Sequence, residues 1–319
     1  MNRALVRRAG LSVLTVVALT GLAACGGGNG DGGGNGGGSD GSGGRQAGSG
    51  GKQAGGGTDS ARSALSVLQS VQKKAGAAKS AKVESTMSVG STMGTESKGA
   101  IRWDNGVTGV MDLRYTNGPM AENLKKSGSD GKMEARYLPD AYYLDMGPAF
   151  AKDLGGKSWI RYSYDDMVKL MGPSGALLKD QMQNSTPEQG VKQLLASGQV
   201  KEVGKEDVRG VRATHYTGTL DVQKMAEANS GLDAKTLAGL KSQLEQAGIT
   251  TSTVDIWVDK EDLLVKKAER SATKNGPFNT TAFYTDYGVD VTAEAPPAGE
   301  TLDFKELMKK QKQKQQQQG

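Results

Sequence analysis

The chain has 319 residues, a mass of 33.3 kDa, 47 Gly, one Cys, one His and a formal charge of +5. One Cys and one His exclude a disulfide scaffold, a Cys/His zinc site and a Cys–His dyad. Seven basic residues with no acid beside them lie at the ends: Arg3, Arg7 and Arg8, then Lys309, Lys310, Lys312 and Lys314. Taking these seven from +5 leaves −2 for residues 25–308, which argues against a nucleic-acid-binding face.

Arg3, Arg7 and Arg8 precede an apolar run from Leu11 to Leu22. That run has the length of a signal-peptide core and is too short to span a bilayer comfortably, which takes about 20 apolar residues. Leu22-Ala23-Ala24-Cys25 then resembles the lipobox of bacterial lipoproteins. Small residues suit a peptidase that grips extended backbone, and the thiol receives the diacylglyceryl group. Residues 1–24 are therefore expected to be a signal peptide, with Cys25 lipidated. Several acyl chains on one residue would anchor the protein firmly, at about 0.8 kcal/mol per buried CH₂. Residues 26–57 contain 19 of the 47 Gly. Together with Cys25 they form a tether (25–57) with a span of roughly 30 Å. Its glycine strings follow no strand and open no apolar helix, so they do not read as phosphate loops.

Thr58-Asp59-Ser60 can cap a helix over 60–79, whose apolar positions are Ala64, Leu65, Leu68 and Val71. A β section follows with strands at 81–89, 99–103, 107–115, 132–138, 141–146 and 159–162. Turn signals such as Asn105-Gly106, Asn117-Gly118-Pro119 and Asp130-Gly131 separate most of them. Asp165-Asp166 read as the cap of a helical stretch broken at Gly172-Pro173, and Pro187 opens another helix. A hairpin at 200–220 turns at Arg209-Gly210, a helical insert covers 221–247, and strands at 250–258, 263–273 and 280–289 close the domain. The element order gives an α+β fold, with helices lying on one face of a large antiparallel sheet. The Lys/Gln-rich tail 309–319 is expected to be disordered.

Three stretches carry a family resemblance: Val208–Asp221 (VRGVRATHYTGTLD), Val254–Asp259 (VDIWVD) with Leu263-Leu264-Val265, and Phe283–Gly288 (FYTDYG) through Ala295-Pro296-Pro297. With the lipobox and tether, they resemble the actinobacterial LppX/LprG-type lipoproteins, which share the half-barrel fold of the LolA/LolB carriers. The resemblance covers most of 58–308. It implies a curved antiparallel sheet, an unclosed half-barrel with helices covering its concave face, and a lipid-binding domain there, with acyl chains held between sheet and helices. It implies no enzyme activity and no cofactor.

Many of the predicted elements carry Met, a flexible side chain that suits adaptable apolar pockets as well as ordinary cores. Sheet positions Val83, Met87, Val89, Ile101, Met111, Leu113, Val254, Ile256 and Phe283 are candidates for the cavity lining. Helix positions Met167, Leu170, Met171, Leu177 and Leu178 complete the set. A shift of one residue in any strand would reverse its face. His215 lacks a GxSxG or HExxH partner motif and reads as a half-exposed strand residue. Asp259, Glu261 and Asp262 read as a solvated hairpin turn, so no metal is expected. The expected partners are the membrane, through acylated Cys25, and a lipid or other hydrophobic molecule. The expected location is the extracytoplasmic face of the cell membrane. The alternative is an assembly or sensor module of the same fold, with no cargo and an envelope protein as partner.

Overall fold

The computed structural model describes residues 57–126, 128–152, 155–221, 224 and 233–316. Cys25, the signal peptide and nearly all of the tether lie outside this range. Twelve strands form one sheet in the order β12-β6-β5-β4-β3-β2-β1-β11-β10-β9-β8-β7. They are β1 Ser80–Val89, β2 Met93–Arg102, β3 Thr108–Asn117, β4 Lys132–Tyr137, β5 Ala141–Asp145 and β6 Trp159–Ser163. The second half comprises β7 Lys201–Val208, β8 Val211–Asp221, β9 Thr251–Val258, β10 Leu264–Ser271, β11 Phe278–Thr285 and β12 Thr301–Asp303. Every neighbouring pair is antiparallel except β12 with β6. The first and last meanders join where β1 pairs with β11, so the sheet is unclosed and carries its helices as an α+β half-barrel.

Period-2 alternation gives the sheet an inner, apolar face. One inner row runs Tyr284, Val83, Gly99, Met111, Ala135, Leu144, Ile160, Leu302 across eight strands. The helices close this face. They are α1 Gly57–Ala78, α2 Gly118–Lys126, α3 Pro148–Ala151, α4 Tyr164–Met171, α5 Pro173–Gln183, α6 Pro187–Ala196, α7 Ala234–Gln246 and α8 Phe304–Gln316. Helix α1 buries Ala64, Leu68, Val71 and Ala75, one stripe at helical spacing. Helix α6 sits very close to β8 because Gly218 has no side chain. A Cβ there would lie 2.5 Å from Ser197 Oγ and 2.8 Å from Leu194 Cδ1.

Several expectations are corrected. Strand β2 begins at Met93, six residues before the sequence signal, because its inward residues Thr95 and Ser97 are polar and give no hydrophobic alternation. Asn117-Gly118-Pro119 does not simply turn the chain but starts α2, which buries Leu124. Gly118 has φ 89°, and a Cβ on it would meet the Thr92 carbonyl oxygen at 2.0 Å. The cap of α4 is Ser163, which accepts from the Asp166 N–H, and Asp165 and Asp166 occupy the first turn instead. Leu65 is exposed on α1. The tail expected to be disordered is helical through Gln316: Phe304 and Leu307 pack on the core, and Lys and Gln continue the helix at little cost.

Candidate ligand-binding site

The sequence-derived lining residues divide into five groups. Val83, Ile101, Met111, Leu113, Met167, Leu178, Val254 and Ile256 belong to one buried apolar cluster between sheet and helices, each 9% exposed or less. Met87 shares their face of β1, through pairing with Thr95 and Thr280, but lies outside that cluster; Val89 is half-buried at the strand end. Leu170 and Met171 are 46% and 43% exposed at the end of α4, so they are not inside. The side chain of Leu177 lies outside the described residues.

Phe283 is on the wrong face. It pairs with Glu84 and packs with Trp257, Val265 and Val208 on the outer surface. Its neighbours Ala282 and Tyr284 point inward instead. The strand FNTTAFYT is apolar on both sides of position 283, so alternation alone could not set its parity.

Sequence reasoning missed the tyrosines. A second inner row runs Ile101, Gly109, Tyr137, Tyr142, Tyr162. Rings 137 and 142 meet edge-on at 5.0 Å, and rings 142 and 162 lie 5.9 Å apart. Phe304 of α8 covers Tyr162 at 4.9 Å. Tyr115 and Tyr164 join the same cluster. Burial pushes all five phenols above their ordinary value. For Tyr142, the neighbouring phenols of Tyr137, Tyr115, Tyr162 and Tyr164 add to that push. Tyr137, Tyr142 and Tyr162 stand in the predicted strands 132–138, 141–146 and 159–162, but only the cross-strand register shows that their rings meet.

The inner face also has a polar edge. Lys267 donates to Gln193 Oε1 at 2.6 Å and lies 3.7 Å from Glu269, whose Oε1 accepts from Ser252 Oγ at 2.9 Å. Ser85 and Ser97 bond each other at 2.7 Å. A separate cleft of about 260 Å³ lies by Val67, Glu202, Lys205, Thr214, Tyr216, Val258, Asp259, Lys260 and Asp262. It is smaller than an ordinary ligand pocket and mostly charged, so it does not suit an acyl chain. Asp259 Oδ1 accepts from the N–H groups of Glu261 and Leu263, and Asp262 accepts from Ser70 Oγ, so the turn is a structural one.

The outer face holds the third tryptophan and the histidine. His215 stacks on Trp257 at 4.3 Å. Its Nε2 lies 2.8 Å from Asp255, and its Nδ1 lies 3.8 Å from Glu206. Arg270 also donates to Asp255, at 2.7 Å. Carboxylates face both ring nitrogens, which leaves neither poised toward a substrate; a general base needs one. Lys266 Nζ sits 3.7 Å over Trp257, and the Arg209 guanidinium sits 3.6 Å over Phe283 while bonding Glu84. Trp159, also outside, lies beneath Arg136. Trp103 donates to the Ala75 carbonyl and meets Tyr287 edge-on. Among the described residues, no helix is long and apolar enough to cross a membrane.

No family model matches the sequence. A protein of Streptomyces griseus, named "Uncharacterized 31.2 kDa protein in rplA-rplJ intergenic region", is 57% identical over 250 residues, covering 78% of this chain and 82% of that one. The chain belongs to its family. A Streptomyces coelicolor member, named "Putative lipoprotein SCO4650", is 46% identical over 244 residues, 76% of each chain. Among solved structures the chain is similar to LppX of Mycobacterium tuberculosis, at 12% identity and TM-score 0.40 over 72% of this chain and 99% of that one. It is similar also to LprF of Mycobacterium bovis, at 12% and 0.44 over 74% and 98%. A LolA superfamily protein of Nitrosomonas europaea follows, at 9% and 0.23 over 73% and 96%. LppX is a lipoprotein of the type that the sequence motifs resemble.

Proposed function

We propose that the protein is a lipoprotein anchored through acylated Cys25 at the outer face of the cell membrane, and that its half-barrel takes up a lipid or other hydrophobic molecule for transport or presentation. The observation that carries this reading is the continuous apolar surface between the inner sheet face and the helices. Its lid is thin: α5 packs chiefly on α4 and α7 and touches the sheet little. Lifting Met167, Leu178 and Met182 off the sheet would expose three side chains, at about 1.5–3 kcal/mol each. Burying fifteen methylenes of one acyl chain from water returns about 12 kcal/mol, at ~0.8 each. That burial is the driving force for uptake, and it needs no covalent chemistry.

One observation favours the second reading, an envelope interaction module with no cargo. The inner cluster is closely packed by the protein's own side chains, with Leu68, Met167, Met182 and Ile256 among the fully buried ones. Native mass spectrometry of the full chain carrying Cys25→Ser separates the two. A reproducible adduct of lipid mass is expected for the carrier. Repeated preparations without an adduct, and with no uptake of added lipid, would establish the module instead.

A further inference from the structure

Tyr164 is the first residue of α4 and is 1% exposed. Its backbone is fixed: its N–H donates to the Asp140 carbonyl at 3.1 Å, and Ser163 caps the helix behind it. Its phenol oxygen is buried and finds no hydrogen-bond partner among the described residues. A buried hydroxyl in a native fold is nearly always paired, and leaving one unpaired is costly. The neighbouring buried phenols Tyr137 and Tyr142 stand on β4 and β5, within electrostatic reach of it. We infer that the Tyr164 hydroxyl is the hydrogen-bond donor to an uncharged oxygen of the guest, an ester carbonyl or a hydroxyl, at the inner tyrosine row.

The charge of the surroundings selects the chemistry. The hydroxyl lies in a buried cluster of phenols and apolar side chains, and the nearby carboxylate of Asp140 is exposed and already paired with Arg161 at 3.0 Å. A charged head group at this point would lose its hydration without gaining a counter-ion. A neutral oxygen meets a donor and apolar walls. The position also couples binding to the lid, because Tyr164 begins the helix that ends at exposed Leu170 and Met171 and turns through Gly172 at φ 59°.

This inference rests on the carrier reading, and the test separates the two. Two probes of equal length are titrated into the full chain carrying Cys25→Ser: a pyrene-labelled fatty acid methyl ester, and a pyrene-labelled alkane without the ester. The ester is expected to bind about 3- to 10-fold more tightly, the worth of one neutral hydrogen bond. Tyr164→Phe should remove that preference and leave alkane affinity unchanged. Because it deletes an unpaired hydroxyl, the variant should melt no lower, and as much as about 2–4 °C higher. Tyr143→Phe, a phenol on the outer face of β5, should keep the preference. Equal wild-type binding of both probes would overturn the inference while leaving the carrier reading standing. So would a preference that survives in Tyr164→Phe, or a Tyr164→Phe chain that melts lower. If neither probe binds saturably, both fall.

Discussion

The two faces of β9 use the same strand in opposite ways. Val254, Ile256 and Val258 point inward into one apolar cluster under α6. Asp255 and Trp257 point outward and are almost equally buried. Their cover is made of charged side chains: Arg270 on Asp255, Lys266 on Trp257, and Arg209 on Phe283 beside them. Long cationic side chains can shield a hydrophobe while keeping their charge in water. Burial alone therefore does not mark a ligand-facing surface. What sets the inner face apart is its helical lid and, among the described residues, the absence of cations over its rings.

The largest effect that should sharpen this contrast is Ile256→Ala, which is expected to cost about 2–5 kcal/mol in denaturant unfolding because it empties a site closed on all sides. A loss under 1 kcal/mol would mean that the inner face is not packed as described. Alkali comes next. Tyr137, Tyr142, Tyr162, Tyr164, Tyr284 and Tyr287 are all raised above their ordinary value, chiefly by burial. A phenol harder to ionise in the fold lends stability that is whole below the unfolded value of about 10 and is lost as pH climbs above it. Thermal midpoints should be flat through neutral pH and fall steeply above about pH 10, with phenolate absorbance appearing together with unfolding. Phenolate absorbance preceding unfolding would place these rings in water. The smallest effect is outside: Arg209→Ala should cost about 0.5–1 kcal/mol, the worth of one surface cation–π contact, and leave probe uptake unchanged. A drop in uptake would extend the binding surface to the outer face.

Much of the fold was legible because its apolar positions recur at clear periods. Helix α1, the strand order within each meander, and the break at Gly172-Pro173 all follow from spacing and turn residues. The pairing of β1 with β11 joins residues some 200 positions apart, which no local pattern announces. Strand β12 is three residues long and pairs in parallel with β6, too short to show alternation. The candidate site was half legible. Leu113 lies between Asp112 and Arg114, and Val254 between Thr253 and Asp255, and so their face could be read. Phe283 has an aromatic neighbour at 284, and its face is decided only by register with Glu84. The tyrosine row escaped because each Tyr looks ordinary in its own strand and only the cross-strand register brings them together.

The most direct test of an inner, lidded binding face is photolabelling with a diazirine fatty acid in saturable amounts, followed by mapping of the labelled peptides. The account predicts labels on the segments holding Met111, Tyr142 and Met167, suppressed by excess unlabelled lipid. Saturable labelling confined to the segments of Lys266 and Phe283, or none at all, would contradict it.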